Sequence, residues 1–214
     1  MLETGDFKNL GLELNDSQIS QLQIYADFLI EFNKHTNITR IKAEDIPILH
    51  FYDSLAAANF LDFKRYKSLI DIGSGAGFPG MPLKIAYPHL NVRLVDSKIK
   101  KVRFIEELQS RLNIKNCCAV HARAEELAKE NKYNGKFDLV TARALTKIEN
   151  LVLILAPFLK KGGKAILYKG PKLQEELDQA YKQIELSSLR IEEIYSFNLP
   201  KEKGERHLML LDKI

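Results

Sequence analysis

Cysteine is scarce in this 214-residue chain, which has only Cys117 and Cys118. Two cysteines cannot supply the disulfide framework of a small secreted protein. Neighbouring residues of a strand point to opposite faces of a sheet, so we expect packing residues rather than a redox pair. This cysteine usage is typical of a reducing compartment, and we expect a cytoplasmic protein.

Long apolar segments are absent as well. The longest one, residues 151–159, is too short to span a bilayer, and Pro157 interrupts it. Residues 1–6 show neither the basic nor the apolar region of a secretory signal peptide. We therefore expect no membrane partner. Contents of 45% hydrophobic and 28% charged residues are instead typical of a folded globular protein.

The formal net charge of +4 conceals an uneven distribution along the chain. Residues 1–62 contain 4 basic and 10 acidic residues, a balance of −6, whereas residues 63–214 contain 28 and 18, a balance of +10. The mild total permits a nucleic-acid partner without requiring one. If there is such a partner, we expect it on the basic part of the chain.

The acidic beginning of the chain predicts a helical extension. Asn15 or Asp16 can cap a first helix, whose apolar residues recur at helical spacing. Residues 45–61 predict a second helix. No linker follows, so we expect residues 1–65 to pack on a second domain, residues 66–214, as one compact unit.

From residue 66 onwards, strand and helix patterns alternate. Short apolar segments predict seven strands, at residues 68–72, 91–95, 116–121, 137–141, 164–168, 190–198 and 207–212. Helices are predicted at residues 98–112, at 148–159 (ended by residues 160–163) and at 172–187. Alternation of this kind is typical of an α/β fold with a mostly parallel sheet. The last two strands are joined by a short loop, so one of them must run antiparallel.

Glycine is concentrated at one point, because four of the 11 glycines lie within residues 70–80, directly after the first predicted strand. A unit of strand, glycine loop and helix lets the backbone approach a ligand closely. Gly75, Gly77 and Gly80 match the dinucleotide-binding spacing, which alone is a weak indication. The alternative, that the glycines only allow a tight turn between strand and helix and bind no ligand, also stays open.

Two carboxylates help to separate the candidate ligands. The tight turn begins at Gly73, two residues after Asp71, whose charge would disfavour the pyrophosphate of a dinucleotide at this place. The same charge would favour the sulfonium and ammonium groups of S-adenosylmethionine, and Asp-x-Gly-x-Gly-x-Gly is the methyltransferase form of the loop. Asp96 ends the second strand and can accept hydrogen bonds from the ribose hydroxyls of either ligand.

Motifs along nearly the whole chain then resemble one family, the small-subunit ribosomal RNA guanine-N7 methyltransferase G family, also called glucose-inhibited division protein B. The motifs are NIT (37–39), HFYDSL (50–55), GFPGMPL (77–83), VDS (95–97), KKVRF (100–104), RAEE (123–126), ARA (142–144), YKG (168–170) and GERHL (204–208). The resemblance implies a class I S-adenosylmethionine-dependent methyltransferase, with a Rossmann-like, mostly parallel seven-stranded sheet and a short helical N-terminal extension. It also implies that the substrate is 16S ribosomal RNA in the small ribosomal subunit.

Five cofactor-binding positions follow from the resemblance: Gly73, Phe78, Ala124, Glu125 and Arg143. Phe78 stands where other members have leucine, and either side chain gives an apolar wall. Without the resemblance, the simpler interpretation is that Glu125 lies in the first turn of a helix, where an acidic side chain interacts favourably with the helix dipole. The arginine, which we expect to be catalytic, would hold a substrate phosphate or guanine O6. A plain surface arginine is the alternative.

Several other polar residues have candidate roles. His50 and Asp53 share a helix face, and either pair with each other or line the site entrance. Basic clusters suit a polyanion, although each alone is more often a solvated face. The residues that we assign to RNA are Lys100, Lys101, Arg103, Lys169, Arg206 and His207. The histidines lack ligand spacing, so we expect no metal; we also expect a monomer.

Guanine N7 has a free lone pair and carries no proton, so direct attack on a sulfonium methyl group needs no general base. We therefore expect catalysis by proximity and alignment. A small-molecule methyltransferase, which would make little use of the basic clusters, is one alternative. A ribosome assembly factor that keeps the fold without turnover is another, and a nicotinamide oxidoreductase is a third, disfavoured by Asp71.

Overall fold

The computed structural model describes residues 2 and 4–214. Its α-helices are α1 (Asp16–Thr36), α2 (Asp53–Leu55), α3 (Gly80–Ala86), α4 (Ile99–Leu112), α5 (Ala124–Leu127), α6 (Ile148–Leu155), α7 (Leu173–Asp178) and α8 (Tyr181–Leu186). Its strands are β1 (Ser68–Ile72), β2 (Asn91–Asp96), β3 (Cys117–His121), β4 (Phe137–Arg143), β5 (Leu159–Lys169), β6 (Leu189–Asn198) and β7 (Glu205–Lys213).

The seven strands form one sheet in the order β3-β2-β1-β4-β5-β7-β6. The first five strands of the chain are parallel, and β7 runs antiparallel between β5 and β6. The predicted α/β fold with a mostly parallel seven-stranded sheet is confirmed. The sequence order reverses between β1 and β4, and the crevice beyond the carboxyl ends of these strands is where open sheets bind ligands.

Each face of the sheet has its own apolar core, because successive residues of a strand point to opposite sides. Leu69 of β1 belongs to the core on the side of α1, α3 and α4, whereas Ile70 belongs to the core on the side of α6, α7 and α8. The extension thus shares a core with one face of the sheet, to which strands from β3 to β7 contribute.

Helix α1 begins with a capping box, which confirms Asn15 as its cap. The Asn15 side chain accepts from the Gln18 amide at 2.9 Å, and the Gln18 side chain accepts from the Asn15 amide at 2.9 Å. The Gln18 amide nitrogen also donates to the Ile85 carbonyl at 2.8 Å, which ties the helix start to α3. Further along, Phe28 stacks on Phe104 of α4 at 4.9 Å. The extension is therefore fixed to the sheet domain at the start and in the middle of α1.

The helix predicted for residues 45–61 is present up to Asn59, but its pitch changes along its length. The chain there runs through a π-helical segment (Pro47–Tyr52), the short α2 and a 3-10 turn (Ala56–Asn59). Widened helical turns of this kind are frequent at functional sites. The side chains of His50 and Asp53 both point towards the sheet, where they contact Arg143 of β4.

The helix predicted for residues 148–159 is present as α6 and a 3-10 turn (Ala156–Phe158), but the strand that follows starts earlier than predicted. Helix α6 stops at Leu155 because Pro157 breaks it, and β5 already starts at Leu159, paired with Phe137. Residues 160–163 are therefore part of β5 rather than a helix terminator. Gly163 is needed there because a Cβ would lie 2.9 Å from the Asp138 carbonyl oxygen.

Smaller differences concern two other segments. The predicted polar helix at residues 172–187 is two short helices, α7 and α8. Of the two cysteines expected to pack, Cys117 is buried but Cys118 is exposed, on the edge strand β3. Within the described residues, no helix combines the length and the apolar character needed to cross a membrane.

Candidate functional site

The glycine loop leaves β1 and folds against the end of β2. The amides of Gly73 and Ser74 both donate to the Val95 carbonyl, at 2.9 and 3.0 Å. Gly73 has a φ of 71°, and a Cβ on it would lie 2.6 Å from Cδ1 of Leu145. The positive φ favours glycine at this position, and the flexible Leu145 side chain lies over the space that a Cβ would take.

A pocket of about 710 Å³ lies beside this loop, beyond the carboxyl ends of β1, β2 and β3; we call it the loop pocket. Its wall contains four of the residues predicted to bind a cofactor: Gly73, Asp96, Ala124 and Glu125. Residues 144–146 close the pocket on its other side. The predicted cofactor residues thus come together here in part.

Asp96 is the acidic group of the loop pocket. Its Oδ2 accepts from the Gly75 amide at 2.9 Å, and its Oδ1 accepts from the Lys98 amide at 2.9 Å. The ammonium of Lys101 lies 3.4 Å from Oδ2. A carboxylate oxygen has two acceptor positions, so Oδ1 keeps one for a ligand hydroxyl, whereas Oδ2 already accepts from both the Gly75 amide and the Lys101 ammonium. Gly75 therefore acts through Asp96, and Lys101 belongs to this pocket.

Asp71 lies beneath the loop and outside the wall of the pocket. Its side chain is fully buried and accepts from the Gly80 amide at 3.0 Å and from the Thr141 hydroxyl at 2.9 Å. Burial raises the pKa of Asp71 to about 7, against the lowering effect of these two hydrogen bonds. In the structure, Asp71 joins the end of the loop to β4.

Phe78 is held in a stack of three rings. The ring of His50 lies 4.0 Å from it on one side, and the ring of Tyr25 lies 5.0 Å from it on the other. The Tyr25 hydroxyl donates to the Ala76 carbonyl, and a Cβ on Gly77 would lie 2.8 Å from that hydroxyl. The Phe78 side chain therefore supports the loop from behind and does not line the loop pocket.

A second pocket, of about 780 Å³, lies on the other side of residues 144–146; we call it the arginine pocket. Its wall includes Arg143, His50, Asp53 and Arg206, which come from three separate segments of the chain. Residues 144–146 line both pockets. The two pockets therefore share one wall, formed by the segment that follows β4.

Arg143 is the centre of this arrangement. Its Nη1 donates to Oδ2 of Asp53 at 2.9 Å and to the Leu49 carbonyl at 3.1 Å, while Nη2 lies 3.0 Å from Nδ1 of His50. Its guanidinium carbon lies 5.2 Å from the Phe78 ring centre. The arginine thus binds the extension to β4, which neither the catalytic nor the surface interpretation of the sequence foresaw.

His50 is neutral in this environment. Burial, with a smaller effect of Arg143, lowers the pKa of His50 to about 3. Because an arginine can only donate, Nδ1 of the ring accepts, and Nε2 carries the proton towards Oγ1 of Thr39 at 2.9 Å. Both ring nitrogens are therefore occupied within the chain.

Asp53 lies between two guanidinium groups. Oδ2 pairs with Arg143, whereas Oδ1 lies 3.5 Å from Nε of Arg206 without a hydrogen bond, and has no hydrogen-bond partner among the described residues. The side chain of Asp53 is only 6% exposed. Arg206 donates instead to the carbonyl of Glu205 at 2.9 Å.

Several of the predicted RNA-binding residues form hydrogen bonds or ion pairs within the chain. Lys169 is buried, and its ammonium donates to Glu176 at 2.6 Å and to the Thr146 carbonyl at 2.9 Å. Lys100, which is exposed, donates to the Thr36 carbonyl at 3.0 Å, and Arg103 is exposed on the same helix. His207 lies 2.8 Å from the Ser196 hydroxyl, beside Arg206.

Another basic cluster in the sequence is far from the pockets. Lys160 and Lys161 lie at the start of β5, and the pockets lie beyond the carboxyl ends of the parallel strands. Lys160 pairs with Asp138, and Lys164 pairs with Glu192 and Asp212. The basic clusters therefore do not form one continuous face.

Two residues at the site were not among the candidates that the sequence analysis named. Leu145 covers Gly73, and Tyr168 donates its hydroxyl to the Ser54 carbonyl at 2.7 Å in the wall of the arginine pocket. The YKG motif was the available signal for the tyrosine. In the part of the chain that the structure describes, no three His, Cys, Asp or Glu side chains come together as a metal site.

Comparison with solved structures places this fold among methyltransferases. TrmN from Thermus thermophilus superposes with a TM-score of 0.56 at 13% identity, covering 75% of this chain and 49% of that one. TYW2 from M. jannaschii, solved in complex with AdoMet, gives 0.54 at 14% identity, covering 69% of this chain and 68% of that one.

Sequence comparison is more specific. The chain is 43% identical over 208 residues to the ribosomal RNA small subunit methyltransferase G of Lachnoclostridium phytofermentans, covering 97% of this chain and 86% of that protein. It is 39% identical over 204 residues to the protein of the same name from Listeria monocytogenes, covering 95% and 86%. The family model described as rRNA small subunit methyltransferase G matches residues 18–209. The chain therefore belongs to the rRNA small subunit methyltransferase G family.

Proposed function

We propose that this protein is an S-adenosylmethionine-dependent methyltransferase that methylates N7 of a guanine in 16S ribosomal RNA. The observation that carries the proposal is the pair of pockets that share residues 144–146 as a wall. A transferase for two substrates needs such an arrangement, in which donor and acceptor meet at one boundary. Family membership supports both the reaction and the RNA.

The loop pocket suits the cofactor. The bare backbone at Gly73 allows the close approach that a Cβ would prevent, and Oδ1 of Asp96 has a free acceptor position for a ribose hydroxyl. Ala124 and Glu125 line the far end, where they would contact the adenine. S-adenosylmethionine supplies an electrophilic methyl group when bound. Asp71, Gly75, Gly77 and Phe78 would act indirectly, by holding the loop in shape.

The arginine pocket would hold the acceptor base. Guanine N7 carries no proton, so the reaction needs no general base at this pocket. His50 has both ring nitrogens occupied and a pKa lowered to about 3 by burial and Arg143, which agrees with a positioning role. Arg143 would also be a positioning residue, because its hydrogen bonds fix the pocket wall, rather than one that grips a phosphate directly.

The RNA would approach the face that carries both pockets. Lys100, Arg103, Arg206 and His207 remain candidates for its phosphates, whereas Lys101 and Lys169 are held by Asp96 and Glu176. Neutralising phosphates releases counterions, so affinity for the RNA should fall steeply with salt. We further propose a cytoplasmic monomer in which residues 1–65 and 66–214 act as one unit.

The test is methyl transfer from labelled S-adenosylmethionine to unmodified small ribosomal subunits, to free 16S RNA, or to neither. The expected product is one labelled guanine whose N7 methylation shows as a site of chemical strand cleavage. Replacing Lys100 and Arg103 by alanine should weaken RNA binding, and the matched replacement of Lys160 and Lys161, at the opposite end of the sheet, should not. Failure to label either RNA substrate would refute the proposal.

A further inference from the structure

One buried polar atom in the arginine pocket lacks a partner. Asp53 is 4% exposed, and its Oδ1 accepts no hydrogen bond from any described residue. Leaving a buried carboxylate oxygen without a donor costs free energy, so such atoms in native proteins call for an explanation. The nearby Nε of Arg206, at 3.5 Å, balances the charge but makes no hydrogen bond.

The missing partner must be a hydrogen-bond donor. On the Watson–Crick edge, guanine offers two neighbouring donors, N1–H and the N2 amino group, whereas adenine offers an unprotonated N1 in the same place. Proteins that read single-stranded RNA do so through hydrogen bonds to such edges. A fixed carboxylate oxygen therefore accepts guanine and rejects adenine at this position.

The position of Asp53 in the pocket fits this edge. Residues 144–146 form the side that the arginine pocket shares with the loop pocket, and neither Asp53 nor Arg206 lines the loop pocket. In guanine, N7 lies on the five-membered ring, whereas N1 and N2 lie on the six-membered ring, with N2 on the side away from N7. A base with N7 towards the shared wall therefore presents N1 and N2 towards the side of Asp53.

On the basis of the proposed function, we propose that Asp53 is the residue that selects guanine, with Oδ1 accepting a hydrogen bond from the Watson–Crick edge of the target base. Arg143 fixes the carboxylate by binding Oδ2 at 2.9 Å. Arg206, whose Nη1 is bonded to the neighbouring carbonyl of Glu205, lies beside Oδ1. This oxygen is itself buried, so the base reaches it when the Arg206 side chain moves aside.

The variant Asp53→Asn tests this with little change in shape. Arg143 can only donate, so it orients the amide with its oxygen towards Nη1. The amide nitrogen then takes the place of Oδ1 and presents N–H groups to the pocket. These groups oppose the donors of guanine and suit the acceptor N1 of adenine.

The measurement is kcat/KM on two RNAs that differ only in guanine or adenine at the mapped target position. Sites that hydrogen-bond a substrate group discriminate strongly, so the guanine-to-adenine ratio should fall at least about 100-fold in Asp53→Asn. Asp45→Asn is the matched control, because Asp45 pairs with Lys203 at 2.6 Å and lines neither pocket. Its ratio should equal that of the wild type. A wild-type ratio in Asp53→Asn, with cofactor affinity retained, overturns the assignment.

A second measurement on the wild-type protein covers the case in which Asp53→Asn does not fold. RNAs with inosine or 1-methylguanosine at the target lack the N2 or the N1 donor but keep N7. At least one should be methylated about 10-fold less efficiently than guanosine, and equal rates on all three overturn the role of Asp53. A wild-type protein that labels no guanine at all refutes the proposed function itself, which separates the two failures.

Discussion

The two pockets are built in different ways. The loop pocket is made by consecutive strand ends and by one glycine-rich turn, and its polar contacts are mostly to backbone amides, as at Asp96. The arginine pocket is made by side chains from the extension, β4 and β7, which are joined through Arg143 and Asp53. One pocket depends on local backbone shape, and the other depends on charge pairs between distant segments.

Because of this difference, we expect substitutions at the two pockets to have different consequences. A change at the loop pocket should alter ligand affinity while the fold survives, because the sheet beneath it is complete without the ligand. A change at the arginine pocket should instead weaken the attachment of the extension, because the same contacts hold both. Function and stability are therefore separable in the first pocket and coupled in the second.

The largest expected effect is on stability, from Arg143→Ala. The side chains of Arg143 and Asp53 are 14% and 6% exposed, and removing one partner of a buried ion pair costs about 3–5 kcal/mol of unfolding free energy. Urea denaturation measures it. Lys42→Ala is the control, because the Lys42–Glu44 pair is exposed and contributes less than about 1 kcal/mol.

The double variant Arg143→Ala with Asp53→Asn sharpens this test. If the cost comes from an unpaired buried carboxylate, removing the charge should return part of the lost stability, so the two effects will not add. A strictly additive result would mean that the pair is not what couples this pocket to the fold.

Next in size is the effect of Gly73→Asp on cofactor affinity. The new side chain would meet Leu145 and fill the backbone edge of the loop pocket, so we expect the dissociation constant for S-adenosylmethionine to rise at least about 100-fold, or about 2.7 kcal/mol. Calorimetric titration measures it. Gly162→Asp is the matched control, because Gly162 has a φ of 74° and nothing within 4 Å of a Cβ.

Both glycine variants carry the same left-handed strain, so their difference isolates contact with the pocket. If both variants lose cofactor affinity equally, the cause is general destabilisation. Function and stability would then be coupled in the loop pocket, as they are in the arginine pocket.

The smallest effect concerns pH. Burial lowers the pKa of His50 to about 3, so below pH 6.5 the unfolded chain takes up a proton that the folded chain refuses, and stability falls as pH falls. Asp71 opposes this: its pKa is raised to about 7, so between pH 4 and 7 the folded chain keeps a proton that the unfolded chain loses, and stability falls as pH rises.

His50→Gln should expose the opposing contribution of Asp71. Without His50, unfolding free energy should decrease from pH 5 to 6.5 relative to the wild type, by on the order of 1 kcal/mol. Urea denaturation at several pH values in this range measures the difference. Parallel pH profiles for the two proteins would contradict the assignment of the slope to this buried imidazole.

The same contrast explains what the sequence could predict. The strand pattern, the helix cap at Asn15 and the need for glycine at Gly73 are local, and the structure has them as expected. The pairing of Lys169 with Glu176 and the stacking of Phe78 against His50 depend on how distant segments meet. Spacing along the chain holds no information on such contacts. For that reason Lys169 was predicted to bind RNA, and the Phe78 ring was predicted to form a wall of the cofactor site.

The order of segments around the arginine pocket also matters while the chain is being made. Every residue of the loop pocket wall has been synthesised by residue 154, whereas the arginine pocket needs Arg206 of β7. A nascent chain therefore contains the residues for the donor before it contains those for the acceptor. Asp53 gains its second guanidinium only once residue 206 has been added, so a nascent chain that has not reached β7 cannot offer the finished arginine pocket to an RNA.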